Sequence, residues 1–474
     1  MKITSNNYPQ ESARVLREEP QVRDSVTGAT LNFDSKRRTM YAEVDSEAWR
    51  HWAEAVKNHL LSDLDGYLKQ AEAALEANGV RVHWAEDADE ARRIVAEIAR
   101  ASGVKRVVKA KTMVSEELGI NPMLEGMGVE ALETDLGEYI IQLLDQPPSH
   151  IVGPAIHLNL GQIQKLFHEK FGTPLDATPD HLASVARKLL REGFLRADMG
   201  ISGANFLVAE TGTIALIENE GNIRISTSAP RIHVALVGLE KLLPRFSDLS
   251  TFLTLTARAA TGQRIGTFVS LIQGPRRTQG TAPAGGAALE EVDGPEEVHV
   301  VLVDNGRSSV LADPEAWETL RCVRCAACLN ACPVYRQTGG HAYGYVYSGP
   351  IGAILSPGLL GLENTKPLPY ASSLCGACFQ ACPVRIPIPK LLLAWRNRAV
   401  EEGLQPQFEA TAIKGYAAAM TRPWAYSLAS RAVRLLPEKA LDNTVMPVLK
   451  AWTQHRAGLR PSPKSFRELW DEGI

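Results

Sequence analysis

Seven cysteines, all between Cys322 and Cys382, are the residues with the most chemistry to offer in this 474-residue chain. Cys322, Cys325, Cys328 and Cys332 stand in "CVRCAACLNACP", at gaps of two, two and three residues before a proline. "SSLCGACFQACP" repeats the spacing with Cys375, Cys378 and Cys382, but Ser372 occupies its first position. C-x2-C-x2-C-x3-C-P is the spacing by which bacterial ferredoxins hold [4Fe–4S] clusters. Two intervening residues let a short loop wrap a cubane and aim successive thiolates at different irons. Small residues at Ala326, Ala327, Gly376 and Ala377 let backbone N–H groups approach the sulfurs. A buried four-thiolate cubane is negatively charged and needs such donors. Structural zinc typically takes two separated C-x2-C knuckles, or cysteine with histidine, around one ion, and a run of four thiols given twice fits that poorly. Disulfides are disfavoured by the odd count and by a reducing cytosol.

Where two such motifs share a domain, the fourth cysteine of each ligates the other motif's cluster. Position by position, Cys322, Cys325, Cys328 and Cys382 then hold cluster 1, a [4Fe–4S] group. Cys332, Cys375 and Cys378 hold cluster 2, with Ser372 where the fourth thiol belongs. A serine hydroxyl must lose its proton before it ligates, so cluster 2 is expected as [3Fe–4S], or as a [4Fe–4S] group whose fourth iron takes water, a side chain or a partner's ligand. Ligation by Ser372 itself is the opposing reading. The stretch between the motifs holds His341 and four tyrosines, Tyr335, Tyr343, Tyr345 and Tyr347. His341 either reaches the open iron, forms an ordinary hydrogen bond or lines a docking face. The tyrosines are expected on such a face.

The elements that must position these loops lie on both sides. Residues 1–45 read as a polar, irregular N-terminal arm. From Ser46 the spacing turns helical and stops at Asn78-Gly79. "VRVHWA", "VKRVVKAKT", "GVEALETD" and "SHIVGPAIHL" then alternate with helical stretches, the first opened by Asp87 or Asp89. Strands alternating with helices imply an α/β layer with a mostly parallel sheet. "NFLVAE" and "TIALIEN" flank Thr211-Gly212 as a β-hairpin. "RIHVALVG", "TFVSLIQ" and "VHVVLVDNG" are further strands, and the Gly/Pro/Ala-rich run "RRTQGTAPAGGAALEEVDGPEE" reads as a mobile loop. Four regions are expected: the arm, an α/β domain at 46–312, a helical two-cluster ferredoxin domain at 313–395, and a C-terminal helical extension at 396–474. In the tail, Phe466 and Trp470 are expected to anchor an extended end.

Two further groups in the α/β region invite a ligand. Glu210, Thr211, Glu218 and Glu220 lie beside glycine turns and suit either a small polar ligand or a solvated hairpin. Lys109, Lys111 and Ser115 end a strand ahead of a helix start, where open α/β sheets bind anions; the alternative is a surface basic cluster. No G-x-G-x-x-G follows a strand, since "GISGAN" has the wrong spacing, and there is no G-x-x-x-x-G-K-[ST]. The net charge of −3 gives no general attraction to nucleic acid or anionic membrane. With no apolar leader and no run of eighteen apolar residues, the chain reads as cytoplasmic.

"GISGANFLVAETGTIALIENEGN", taken with the two cysteine motifs, resembles the lactate-utilisation protein B family from about residue 60 onward. The resemblance implies a lactate-utilisation domain similar in fold to ribose-5-phosphate isomerase and coenzyme A transferases, then a two-motif [4Fe–4S] ferredoxin region. It implies that the serine at 372 belongs to the family's pattern. It also implies a role in a three-protein system oxidising L-lactate to pyruvate. The partners would be a cysteine-rich protein resembling glycolate-oxidase iron–sulfur subunits and a smaller lactate-utilisation-domain protein. Three functions follow for comparison: an electron-transfer subunit of that oxidoreductase, a catalytic subunit binding a 2-hydroxy acid at an open iron, and a nicotinamide-dependent dehydrogenase. The missing dinucleotide fingerprint counts against the third.

Overall fold

A computed structural model describes residues 3–276, 294–435 and 462–473. The chain divides into two compact units, Met1–Arg398 and Ala399–Ile474.

The first unit is built on a six-stranded, wholly parallel sheet. Its strands are β1 (Arg81–Ala85), β2 (Arg106–Lys109), β3 (Glu130–Glu133), β4 (Met199–Ser202), β7 (Ile232–Gly238) and β10 (Glu297–Val303), in the order β1-β10-β7-β4-β2-β3. A second sheet joins β5 (Phe206–Val208), β6 (Thr213–Glu218), β8 (Leu242–Leu243) and β9 (Phe268–Ile272), in the order β8-β5-β6-β9. The expected hairpin is β5–β6, with Val208 opposite Thr213 across Gly212, which takes φ +64°.

The central strands are almost wholly apolar, His233 and His299 excepted, because both faces of the large sheet are covered. In β7, Ile232, Val234 and Leu236 face a core shared with Ile94, Val95 and Ile98 of the helix Ala88–Ala101. Ala235 and Val237 face the opposite way, toward Leu60, Leu64 and Leu68 and the small sheet. Asp87 starts the helix Ala88–Ala101 by accepting the Glu90 N–H. The glycines of "GISGAN" serve close packing: a Cβ on Gly200 would lie 1.8 Å from the Ser226 carbonyl oxygen, and one on Gly203 2.5 Å from Thr112 Oγ1.

Several expectations are corrected. "SHIVGPAIHL" forms no strand; it is a run of turns. Its own side chains take the backbone groups a strand would pair: Ser149 Oγ donates to the Pro154 carbonyl at 2.9 Å, and His150 Nδ1 accepts from Val152 and Gly153 at 3.1 Å. Nor are residues 1–45 an irregular arm. They form the helices Tyr8–Glu18 and Pro20–Ala42, the second packed against the helix Ala327–Ala331 between the first-motif cysteines. The expected mobile loop falls largely at 277–293, outside the described residues.

In the second unit, the described residues include the helices Gln407–Met420, Pro423–Arg434 and Phe466–Asp471. The tail is a capped helix, not an extended end, because Ser465 and Glu468 form a reciprocal capping box. Phe466 and Trp470 are exposed there, so neither is a buried anchor.

Candidate metal centre and the adjoining cavity

The two cysteine loops share one backbone design. In the first, Arg324 (φ 60°) and Ala326 (φ 63°) are left-handed and lead into the helix Ala327–Ala331. In the second, Leu374 (φ 55°) and Gly376 (φ 81°) do the same ahead of Ala377–Ala381. Three of these four are not glycine, a conformation that persists only where surroundings enforce it. Arg324 N–H donates to Cys322 Sγ at 3.4 Å; Leu374 N–H donates to Ser372 Oγ at 3.1 Å. Ser372 therefore stands where the first loop has its leading thiol, down to the hydrogen bond it accepts. The fourth cysteines are treated alike: Cys332 Sγ accepts from Tyr335 N–H, and Cys382 Sγ from Ile386 N–H, each at 3.4 Å.

All seven cysteines are free thiols, six of them buried and Cys375 exposed. Among the described residues, no group of three or more His, Cys, Asp or Glu side chains is set to hold a single ion. Burial pushes Cys328 well up, and Cys322, Cys325, Cys382 and Cys378 push it further. Burial raises Cys325, with Cys382 next among the causes. Cys382 is pushed up to about 11 by burial, against the Ile386 N–H. Cys378 is pushed up to about 12 by burial and then by Cys332. Cys332 is raised by burial and feels Cys375. Each thiol makes its neighbours harder to ionise, and a shared cation reverses that. Thiols gathered in two loops, most of them buried and with backbone N–H groups aimed at sulfur, fit iron–sulfur groups.

The surroundings hold these loops from three sides. Arg50, on the helix Ser46–Ser62, donates to the Cys382 carbonyl at 2.8 Å and to the Phe379 carbonyl at 2.9 Å. Tyr41 donates to the Ala381 carbonyl at 3.3 Å, and Glu54 accepts from both Arg321 and Arg385. On the sheet side, Arg307 is fully buried and pairs with Glu117 at 2.8 Å and Glu240 at 2.6 Å. Glu240 also accepts from Arg324 at 3.0 Å, while the Arg324 guanidinium lies 4.5 Å from the Tyr347 ring centre. Tyr347 in turn donates to Glu117 at 2.5 Å.

Tyr335, Tyr343, Tyr345 and Tyr347 are buried, so they are not the docking face expected of them. Two of their hydroxyls have acceptors inside, Tyr335 donating to the Ser149 carbonyl at 2.7 Å and Tyr347 to Glu117, while the buried Tyr343 hydroxyl has no partner among the described residues. His341 bonds through Nε2 to the Pro147 carbonyl at 2.8 Å and meets the His157 ring edge-on. It thus takes the ordinary hydrogen-bonding role among the alternatives.

A cavity of about 370 Å3 opens where the carboxyl ends of β2 and β4 approach the first cysteine loop. Parallel α/β sheets commonly bind ligands at that edge. Lys111, Glu218 and Glu220 line it, as do Arg324, Cys325 and Tyr347 from the cysteine region. Lys109 and Ser115 do not. Lys109 is buried in an ion cluster with Glu116 and Glu133, each at 2.8 Å, and bonds Ser115 Oγ at 2.8 Å. The predicted basic group is therefore neither on the surface nor one site. Glu210 accepts from Phe246 N–H and Thr211 pairs with Thr213, both away from the cavity. Sequence reasoning missed Lys241, Thr256, Glu240 and Arg307. Only Arg324 had a signal, being inside the "CVRC" loop.

No described helix is long and apolar enough to cross a membrane. Three family descriptions match the chain: LUD domain over residues 68–303, 4Fe-4S dicluster domain over 318–386, and Lactate utilisation protein B, C-terminal, over 387–473. The dicluster match makes the cysteine region an iron–sulfur region. A relative named Lactate utilization protein B from Macrococcus caseolyticus is 41% identical over 99% of this chain and 97% of its own. Another of that name, from Geobacillus thermodenitrificans, is 44% identical over 89% and 87%. An Escherichia coli K12 protein named Uncharacterized electron transport protein YkgF is 44% identical over 89% and 86%. A solved chain from Deinococcus radiodurans, described as a DUF162 family protein, aligns with 51% of this chain and 98% of itself at 14% identity and a TM-score of 0.27. With the match to the first relative running nearly end to end, this chain belongs to the lactate utilization protein B family.

Proposed function

We propose that the chain is the iron–sulfur electron-transfer subunit of a cytoplasmic complex that oxidises L-lactate to pyruvate. Its partners would be a cysteine-rich iron–sulfur protein and a smaller protein with the same α/β domain. That domain we assign to the ribose-5-phosphate isomerase and coenzyme A transferase class, on its parallel sheet. The observation that carries the proposal is the pair of loops of matching backbone and hydrogen-bond design that carry the seven thiols.

Cys322, Cys325, Cys328 and Cys382 would hold a [4Fe–4S] group. Cys332, Cys375 and Cys378 would hold a second, [4Fe–4S] or [3Fe–4S], with the Ser372 hydroxyl at the fourth place. Two such groups supply one-electron acceptance and release. The chain's own residues exclude water from the first set and meet its negative charge with Arg324, Arg50 and backbone N–H groups. The exposed Cys375 favours a second reading, in which the open fourth place near the surface binds a 2-hydroxy acid.

The test is iron, sulfide and zinc content of protein purified without oxygen, with EPR before and after reduction. Seven to eight irons per chain, roughly, and two reducible centres are expected. Stoichiometric zinc with failed iron reconstitution would overturn the proposal. L-lactate perturbing the second centre's EPR signal only while Ser372 is present would favour the second reading.

A further inference from the structure

We infer that the cavity between the parallel sheet and the first cysteine loop binds a compact organic anion, with a carboxylate seated on Lys241 and Arg324 and a second oxygen bonded by Thr256. The inference concerns a ligand site within the chain. Only the choice of L-lactate and pyruvate as probes rests on the function proposed above.

The cavity's acids are already occupied. Glu220 accepts from Leu136 N–H at 3.4 Å, and Glu240, next to the lining Lys241 in the chain, is held by Arg307 and Arg324. Glu218 accepts from Ile223 N–H at 2.7 Å and Arg224 N–H at 3.0 Å. Asp135 pairs with Lys111 at 2.8 Å and accepts from two backbone N–H groups.

Its donors are not. Lys241 is only 6% exposed, yet among the described residues its ammonium has no hydrogen bond and no ion pair. Arg324 gives one N–H to Glu240, and its buried Nε and Nη1 have no acceptor. Thr256, 7% exposed on the helix Leu249–Ala260, has a buried hydroxyl without a partner. Buried donors without acceptors are rare and costly in folded proteins. Here Arg324 and Thr256 each contribute such a donor, the unpaired Lys241 ammonium joins them, and the three come from separate elements that line one space. Surplus donors of positive charge beside filled acids select an anion. The planar guanidinium and the ammonium suit a carboxylate. The neutral hydroxyl asks for one more oxygen nearby. At about 370 Å3 the cavity is at the small end of ligand clefts, which limits the guest to a compact acid.

A rival account makes Lys241 and Arg324 mere counter-charges to the thiolates, since both feel Cys322. That account gives Thr256 no role, and the test turns on the difference. Full-length protein with both iron–sulfur groups loaded is titrated without oxygen by calorimetry with L-lactate, pyruvate and propionate. Wild type, Lys241→Met and Thr256→Val are compared, with iron content and EPR recorded on each sample. We expect wild type to bind lactate or pyruvate about tenfold more tightly than propionate, which lacks the second oxygen. Lys241→Met should weaken all three by about tenfold or more. Thr256→Val should erase the preference while leaving propionate binding within about twofold.

Intact iron with no heat from any of the acids overturns this inference and leaves electron transfer untouched. Binding without reducible iron does the reverse. Variants that bind as wild type also overturn it. If Lys241→Met loses iron, Thr256→Val decides alone, because its change is neutral.

Discussion

Arg324, the residue before Cys325, donates at 3.0 Å to Glu240, which follows β7 and is itself clamped by Arg307. The first cysteine loop is thereby fixed to the carboxyl edge of the parallel sheet by a fully buried carboxylate. Burial alone would raise the Glu240 carboxyl, but Arg307 and Arg324 hold it down at about 2. Removing one partner of such a buried group leaves the others uncompensated, at about 3–5 kcal/mol. Glu240→Gln is expected to lower the unfolding free energy by that amount, read from the shift of the urea midpoint in circular dichroism. An unchanged midpoint would mean that the network is not holding the two regions together.

Ser372→Cys tests the second loop. Because Leu374 N–H already bonds Ser372 Oγ as Arg324 N–H bonds Cys322 Sγ, the thiol fits without backbone change. After brief air exposure, the EPR signal of an oxidised three-iron centre should be strong in the wild type and absent in the variant. A persistent signal in the variant would place the vulnerable iron elsewhere.

His233, in the middle of β7, is pushed down from 6.5 to about 4 by burial and then by the charge of His299, with Ser202 Oγ 2.8 Å from its Nε2. The folded imidazole stays neutral while the unfolded one takes up a proton first. Stability is therefore complete above pH 6.5 and falls as the pH drops toward 4, at about 1.4 kcal/mol per pH unit for this group. Urea midpoints at pH 7.5 and 5.0 should show the loss, and His233→Gln should flatten the slope. Equal slopes would assign the acid lability to other groups.

Two glycines are expected to respond in opposite directions. Gly200→Ala drives a Cβ into the Ser226 carbonyl and should cost about 3 kcal/mol or more. Gly28 lies exposed within the helix Pro20–Ala42 with nothing near its missing Cβ, so Gly28→Ala should stabilise by about 0.5–1 kcal/mol. Thermal melts of the pair check both signs.

What could be read from sequence alone follows from how local each signal is. The cysteine loops carry their geometry in their spacing, and β7 and β10 announce burial on both faces by apolar runs, "VALVG" and "VVLV", that do not alternate. The helix Pro20–Ala42 was hidden because its buried stripe is half polar: Val26, Thr30, Asp34, Arg37 and Tyr41. Asp34 and Arg37 pair at 2.8 Å and so satisfy each other inside, which apolar periodicity cannot register. The cavity was illegible for a different reason. Lys241, Thr256 and Arg324 follow a strand, sit on a helix and occupy a metal-type loop, and only the sheet order brings them together. The turn at "SHIVGPAIHL" deceived by its apolar letters, when Ser149 and His150 had already taken the backbone groups.

One exposed thiol among six buried ones also sets how the molecule ages. Oxygen, peroxide and chelators reach Cys375 before the others, while the helices Pro20–Ala42 and Ser46–Ser62 stand over the loop of Cys382. Decay in air should therefore run in two stages: a fast bleaching that takes part of the colour, then a slow one that waits for the helices to open. The Cys375 end of the second loop acts as a fuse, and a stored sample that is half bleached should be a uniform population that keeps the group held by Cys382, not a mixture of whole and ruined molecules.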